Sequence, residues 1–450
     1  MSERVIFTGA RLFDGTGSVQ DGMTVAVQAD RIVDVCEDEG GPRDGRVIPL
    51  AGKTLMPGMT VGHWHGEYVS IGPPLFYAGR SGTFLGTEKP PVILALQAAA
   101  ALRTALTSGV TRVVSAAAAH DVDAQLQAAL DQGLIDGARI TPCSRHIVTT
   151  GDGEDRGLWW QHEEKYINGI RRLGANVFVD GADQVAKAVR QEILRGAEII
   201  KLLPSGGHGF HYNEDGRNLS HAELRAAIET AHDRGVRVRA HATGKAMIME
   251  CLDLGLDIVD HGDFLDEEVI DRMAKQGTFF VPSLAFSKMM TGFATDEPSP
   301  TIDPIMTAWA NMKIMLPKAN AAGVKLVPGD DYGSLGMEHE VGIYGTELEI
   351  YVKEFGIPAA DVLCWATRNG AELALEGDES GTIEVGKRAD LIVVNGDPVA
   401  DISVLTDPLR NLDVVMTGGR FFKDRLDGST ERAAVRGLMV HRGSIEMAAE

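Results

Sequence analysis

Short apolar strand patterns alternate with helix patterns through the middle of the chain. Successive helix–strand units are predicted at 93–108 with 111–115, 182–195 with 197–202, 221–234 with 236–241, 246–254 with 257–261, 267–276 with 278–282, and 308–322 with 324–328. Alternation at this spacing predicts parallel strands connected by helices, and therefore an α/β fold of the TIM-type (β/α)8 barrel class. A doubly wound open sheet has the same local pattern, but no GxGxxG motif follows a first strand here.

Both ends of the chain show strand patterns without intervening helices. Strands are predicted at 5–7, 23–27 and 31–35, and again at 389–394 and 413–417, with turn-forming segments such as 14–17 and 21–22 between the early ones. We therefore expect a small β-sandwich domain built from residues 1–56 and 376–450, beside a barrel over 57–375. The polar tail after about residue 425 is expected to extend over the surface.

Composition narrows the class of protein and its partners. The 450 residues are 44% hydrophobic and 24% charged, which is typical of a globular protein with a large core. The formal net charge of -21 argues against nucleic acid and anionic membranes as partners. The four cysteines form no CxxC motif, which predicts free thiols in a reducing compartment. With no signal-like or membrane-spanning apolar segment in the sequence, we expect a cytoplasmic homo-oligomer that acts on a small molecule.

Side chains suited to metal binding stand at the ends of several predicted strands, where barrel enzymes carry their functional groups. His63 and His65 are two residues apart and so point to the same side of a strand. Such a pair alone is more often structural than metal-binding. The full set of strand-end residues is His63, His65, Lys201, His241, His261 and the pair Asp330-Asp331. Their recurrence at successive strands predicts a hydrolytic site for one or two divalent ions, with zinc the expected metal.

On these residues the chain resembles the amidohydrolase superfamily nearly end to end. The HxH pair, the lysine on the fourth barrel strand, the two later histidines and the final aspartate match its pattern, and GTIEVGKRADL at 381–391 resembles its C-terminal motif. The surroundings of Lys201, His241 and His261 are most similar to the branch with imidazolonepropionase-like proteins, Xaa-Pro dipeptidases and ochratoxin amidases. The phenylurea and molinate hydrolases lie near this branch.

The resemblance implies a role for each of these residues. One metal ion would be held by His63, His65 and Asp331, a second by His241 and His261, with both bridged by the carbamate of an N-carboxylated Lys201. Asp331 is favoured over Asp330 because the family pattern Gly-x-Asp maps onto residues 329–331. Asp331 would also accept the proton of the attacking water and return it to the leaving nitrogen, with Lys201 as the second catalytic residue.

Departures from the family pattern bear on the substrate. Val61 stands where an acidic residue is usual, and Asp152 stands where dipeptidase-like members carry a histidine. We therefore favour a small amide, urea or carbamate, with N-aryl or xenobiotic compounds ahead of dipeptides. The expected substrate contacts are Trp64, His208, His211, Tyr212 and His339, with the aromatic pairs 76–77 and 159–160 in loops of the same face. The other histidines, such as His146, are expected to be structural or at the surface.

Two alternatives stay open. An Xaa-Pro-type dipeptidase needs a cation for the substrate carboxylate, for which Arg80, Arg145 and Arg217 are candidates. A non-catalytic binding relative that keeps the barrel is the alternative of another class, although the complete set of candidate ligands argues against it.

Overall fold

The computed structural model describes residues 3–67, 86–87, 89–155, 173–208, 216–295, 297, 299, 302–329, 331 and 340–426. The strands within these ranges are β1 (Val5–Phe13), β2 (Val19–Gln28), β3 (Arg31–Glu37), β4 (Arg46–Pro49), β5 (Thr54–Pro57), β6 (Met59–Trp64), β7 (Val110–Ser115), β8 (Arg139–Thr141), β9 (Cys143–Val148), β10 (Asn176–Phe178), β11 (Ile199–Leu202), β12 (Arg237–Ala242), β13 (Ile258–His261), β14 (Phe279–Val281), β15 (Lys325–Leu326), β16 (Leu391–Val394), β17 (Leu412–Thr417) and β18 (Arg420–Asp424). The α-helices of the same ranges are α1 (Pro91–Thr107), α2 (Val122–Asp131), α3 (Ala182–Leu194), α4 (His221–His232), α5 (Lys245–Asp253), α6 (Glu267–Gln276), α7 (Leu284–Thr291), α8 (Ile302–Ala321), α9 (Ile343–Lys353), α10 (Ala359–Cys364), α11 (Gly370–Leu373) and α12 (Pro408–Asn411).

Parallel strands form the wall of a barrel. One sheet has the order β6-β7-β8, and a second has the order β10-β9-β11-β12-β13-β14-β15. Only Pro142 separates β8 from β9, so these two strands occupy one position of the wall and connect the two sheets. The wall closes where the Gly62 N–H donates to the Pro328 carbonyl at 2.7 Å and the Asp331 N–H donates to the His63 carbonyl at 3.1 Å. This closure agrees with the predicted barrel and brings the first and last strand ends together.

Strands from both ends of the chain form a second, mixed sheet. Its order is β18-β17-β16-β5-β1-β2-β3, with β4 also paired to β1. β5 joins the two ends, because it runs antiparallel to β16 and parallel to β1. Side chains such as Phe7, Val25, Leu55, Leu391 and Val414 share one buried apolar cluster on this sheet. All eight strands belong to a single hydrogen-bonded sheet; the second layer of a sandwich and the domain boundaries stay predictions.

Most of the predicted helices and strands have bounds within a few residues of those in the structure. Helix α6 has the predicted bounds, and Ser220 caps the N-terminus of α4 in a capping box, where Ser220 and Glu223 bond each other's backbone. Helix α8 begins earlier than predicted and continues through Pro317. The predictions missed β9, because Ser144, Arg145 and His146 interrupt its apolar pattern although the whole strand is buried.

Within the described residues, the structure also bears on the predictions about the cysteines and about membrane-spanning segments. The four cysteines are free, with three buried and Cys36 partly exposed. No described helix combines the length and the apolar character that crossing a bilayer requires.

Candidate metal centre

His63, His65 and Asp331 meet where the barrel closes. His63 lies in β6, His65 follows it, and Asp331 comes shortly after β15. The two Nε2 atoms are 3.0 Å apart, and the Asp331 Oδ1 atom is 3.4 Å from His63 Nε2 and 3.5 Å from His65 Nε2. Both imidazoles are buried, whereas the Asp331 side chain is 19% exposed. These donor atoms could hold one divalent ion, and Asp331 keeps access to solvent.

The Nδ1 atoms of the same two histidines face fixed groups behind the centre. His65 Nδ1 lies 3.2 Å from the carbonyl of Ala117, and His63 Nδ1 lies 3.4 Å from Asp260 Oδ1. Histidines that bind metals usually have the second ring nitrogen held by a carbonyl or a carboxylate, which fixes the ring and leaves Nε2 for the metal. The arrangement therefore matches a prepared ligand pair.

A second group shares Asp331. The rings of His208 and His261 stack with centroids 3.9 Å apart, and His208 Nε2 is 3.8 Å from Asp331 Oδ2. The Asp263 carboxylate lies 2.9 Å from His208 Nδ1 on the far side of the ring. His241, from β12, contacts His261 edge to face at 4.6 Å between centroids. The ligand atoms of His208, His261 and Asp331 are close enough to hold an ion.

The backbone at these three residues is unusual. The φ angles are 48° at His208, 71° at His261 and 47° at Asp331, all in the left-handed region. A side chain other than glycine pays about 1 kcal/mol or more for this conformation, and such residues concentrate at functional sites. The surrounding structure therefore holds three candidate ligands in place against a local cost.

Lys201 lies beside this centre in a buried cluster of charges. Its Nζ atom is 2.5 Å from Asp260 Oδ2, and Arg239 binds both oxygens of the same carboxylate, through Nε at 3.0 Å and Nη2 at 2.5 Å. The Arg239 guanidinium also donates to the carbonyls of Ser115 and Gly62. A single carboxylate thus lies between two basic side chains at the base of the site.

Burial controls the charge of the histidines. Removal from water lowers the pKa of His65, His241 and His261 well below the usual value, because the charged form loses its solvation. Burial acts in the same direction on His208, but the neighbouring Asp263 carboxylate outweighs it and raises the pKa of that imidazole. Neutral imidazole is the form that binds metals.

The donor set fits a divalent cation. Within the described residues, His261 Nδ1 and His208 Nε2 are buried without a hydrogen-bond partner. A buried polar atom without a partner is costly, and a metal ion or a substrate group would remove that cost. Imidazole nitrogens with a carboxylate are the donors expected for zinc and similar ions.

A family model described as "Amidohydrolase family" matches residues 54–422. The chain belongs to the amidohydrolase family. Ochratoxinase of Aspergillus niger is 27% identical over 259 residues, 56% of this chain and 51% of that protein, so the chain spans about half the length of this relative. An Xaa-Pro dipeptidase structure with methionine in its active site has a TM-score of 0.77 and 27% identity, covering 93% of this chain and 100% of that one. Phenylurea hydrolase B, at 19% identity, 95% and 98% coverage and a TM-score of 0.73, shares the fold.

The structure bears on two predicted substrate contacts of this amidohydrolase, and the one at Trp64 needs correction. Trp64 is fully buried in the main apolar core, because it follows His63 in the strand and so points away from the ligand pair. His208 is buried against His261 and Asp331, beside the candidate ligands, and its contact with substrate stays a prediction. The predicted contacts His211, Tyr212 and His339, the alternative Asp330, the aromatic pairs 76–77 and 159–160, and Arg80 lie outside the described residues.

The other two arginines considered for a substrate carboxylate already have partners. Buried Arg145 forms a two-pronged ion pair with Glu192, at 3.2 Å through Nε and 2.6 Å through Nη2. Arg217 is half-exposed and pairs with Glu250 in the same way. Neither supplies a free cation to the centre of this amidohydrolase.

His146, expected to be structural or at the surface, lies at the centre instead. Its ring centroid is 6.3 Å from that of His65, and it is 5% exposed. No motif marks the position, and the strand that carries it was not recognised. The pairing of that strand with β11, which carries Lys201, is the signal that locates it.

Proposed function

We propose that this amidohydrolase is a metal-dependent enzyme that hydrolyses the C–N bond of small amides, ureas or carbamates, with N-aryl compounds as the favoured substrates. The observation that carries the proposal is the convergence of His63 Nε2, His65 Nε2 and Asp331 Oδ1 at one point of the barrel mouth. Membership of the amidohydrolase family and the identity with ochratoxinase support the reaction class.

The residues proposed to hold the metal are His63, His65 and Asp331, with His241, His261 and Lys201 for a second ion. A divalent ion bound there would lower the pKa of water and polarise the substrate carbonyl. Burial alone would raise the pKa of Asp331, but the adjacent His63 and His65 hold it below its usual range, so the carboxylate is ionised and ready to accept a proton. We propose that Asp331 takes the proton of the attacking water and delivers it to the leaving nitrogen.

The proposed carbamate at Lys201 is supported by the environment of its amine. Burial lowers the pKa of Lys201, which favours the neutral amine that can react with carbon dioxide. Its Nζ atom contacts Asp260, so N-carboxylation would have to displace this carboxylate. NMR of protein supplied with 13C-bicarbonate tests this point, because a carbamate carbon gives its own resonance, absent from Lys201→Ala.

Metal content and activity of the purified protein test the reaction itself. We expect at least one bound divalent ion per chain and turnover of anilides, phenylureas or aryl carbamates. Asp331→Asn should lower kcat by about 100-fold or more, the range of general acid–base catalysis. Asp253→Asn, at an exposed ion pair, is the matched control and should keep the activity of the parent.

The outcomes separate the alternatives. Near-normal turnover in Asp331→Asn with the metal retained would show that another group moves the proton. A protein that binds no metal and hydrolyses no member of the panel would revive the non-catalytic binding relative.

An Xaa-Pro-type dipeptidase is the second candidate. The end-to-end match to an Xaa-Pro dipeptidase structure supports it. The partners of Arg145 and Arg217 weigh against it, because a dipeptide brings a carboxylate that needs a cation. Faster hydrolysis of Xaa-Pro dipeptides than of aryl amides by the same preparation would favour this candidate.

A further inference from the structure

His146 occupies a position between a polar anchor and the metal centre. In the parallel ladder its Cα pairs with Asn176 of β10 on one side and with Lys201 of β11 on the other. Residues paired in register on neighbouring strands project to the same face of a sheet. The imidazole therefore lies on the face that carries the Lys201 amine, and its ring is 6.3 Å from that of His65.

A chain of hydrogen bonds fixes the tautomer of His146. The Asn176 amide nitrogen donates to Glu154 Oε2 at 3.2 Å, and a carboxylate can only accept, so this contact orients the amide. The carbonyl oxygen Oδ1 of Asn176 then faces His146 Nδ1 at 3.1 Å. An amide oxygen also only accepts, so Nδ1 must carry the proton. In the neutral ring, Nε2 is left with its lone pair.

The described partners orient this ring, because Asn176 and Glu154 fix its Nδ1 edge. Asn176 holds Nδ1, so Nε2 points away from β10, on the side of His65 and Lys201. The site thus has a hydrogen-bond acceptor that is held in place by the strand and by the amide.

We propose that His146 is a specificity-determining residue whose Nε2 accepts a hydrogen bond from the N–H of the scissile bond. It would select secondary amides, ureas and carbamates over substrates whose nitrogen carries two carbon substituents. This inference rests on the proposed function and names its substrate class. A prolyl bond has no N–H, so the same acceptor would act against Xaa-Pro dipeptides.

The physical basis is the cost of leaving an acceptor without a donor. A polar group buried against a substrate that offers no donor loses its hydrogen bond to water, whereas a substrate with an N–H replaces that bond. One such contact corresponds to about a tenfold difference in kcat/KM. N-methylation of the scissile nitrogen removes the donor.

A matched pair of substrates, an anilide and its N-methyl derivative, tests the proposal on the metal-loaded enzyme. The parent should favour the anilide, and His146→Asn, which keeps a donor for Asn176 but has no atom at the Nε2 position, should lower that preference about tenfold. His146→Gln, whose amide extends further, should restore part of it. His232→Asn, at an exposed histidine paired with Asp257, is the control and should keep the preference.

Two further measurements keep the proposal independent of turnover. If neither compound is hydrolysed, the proposed function fails, and calorimetric binding of the same pair still decides the role of His146. Nitrogen-15 NMR of labelled histidine should show a proton on Nδ1 of His146 in the parent and a mixture of tautomers in Asn176→Leu. The inference would be overturned if the parent and His146→Asn had the same preference for the anilide over its N-methyl derivative, in turnover or in binding. A proton on Nε2 of His146 in the parent would also overturn it.

Discussion

Replacement of Asp260 by asparagine should cost more stability than any other single charge removal at the base of the site. Its carboxylate is 2.5 Å from Lys201 Nζ and from Arg239 Nη2, and the three side chains are 0%, 2% and 0% exposed. Removal of one partner of a buried ion pair typically costs about 3–5 kcal/mol, because the other charge stays buried without compensation. Asp260→Asn leaves both Lys201 and Arg239 buried without the carboxylate.

We therefore expect a loss near 5 kcal/mol if both cations stay charged. Burial already lowers the pKa of Lys201, so release of its proton would relieve one charge and bring the loss nearer 3 kcal/mol. Lys201→Met in the Asp260→Asn background separates the two cases. The double variant should recover part of the stability only if the lysine had remained charged in the single variant.

Urea unfolding of the metal-free protein, followed by near- and far-ultraviolet circular dichroism, measures this loss. The transitions followed in the near and far ultraviolet must coincide, and the slope of the free energy of unfolding against urea concentration must match that of the parent. Only then are the midpoints converted to free energies. Asp253→Asn removes the partner of Arg272 at an exposed pair, 37% and 61% exposed, and should cost under about 1 kcal/mol. Equal losses in the two variants would refute the reasoning.

Two more predictions concern the histidines and a glycine. The pKa values of His65, His241 and His261 are lowered in the native protein. Below about pH 6.5 the unfolded chain therefore binds protons at these histidines that the native protein does not bind. The contribution of these groups to the free energy of unfolding is complete above that pH and is lost as the pH drops. Metal-free protein should therefore unfold at a lower urea concentration at about pH 5 than at about pH 7.5, and equal midpoints at the two pH values would contradict this. Gly329→Ala would place a Cβ atom against Val281 Cγ1 and 2.8 Å from His63 Cβ. We therefore expect metal affinity to fall at least about tenfold in competition with a chromophoric chelator, and an unchanged affinity would show that both side chains can shift without cost.

Local sequence patterns predicted the features of the fold that depend on neighbouring residues, such as helix bounds and strand-end side chains. Helix α6 was located to the residue because its apolar positions repeat regularly between the Asp266 cap and Gly277. The strand-end rule selected His63, His65, His261 and the pair Asp330-Asp331, and the three histidines do converge with Asp331. Their roles as ligands stay a prediction, but their proximity follows from the barrel, whose strand ends meet at one face.

The parts that were missed depend on contacts between distant segments. Arg239 and Asp260 read as ordinary polar residues of strands, and only the pairing of β12 with β13 shows that they compensate each other inside the barrel. His146 depends in the same way on Asn176 and Glu154. The role assigned to Trp64 was wrong for a local reason, because the alternation that pairs His63 with His65 already directs the residue between them to the other face.

The sheet shared by the two chain ends also sets an order for folding during synthesis. β5 leads directly into β6, the strand that carries His63, and its antiparallel partner β16 lies more than three hundred residues later. Chains emerge N-terminus first, at about 5–20 residues per second. β5 must therefore wait roughly half a minute for β16, and during that time its unpaired edge is a surface on which chaperones or like chains can act.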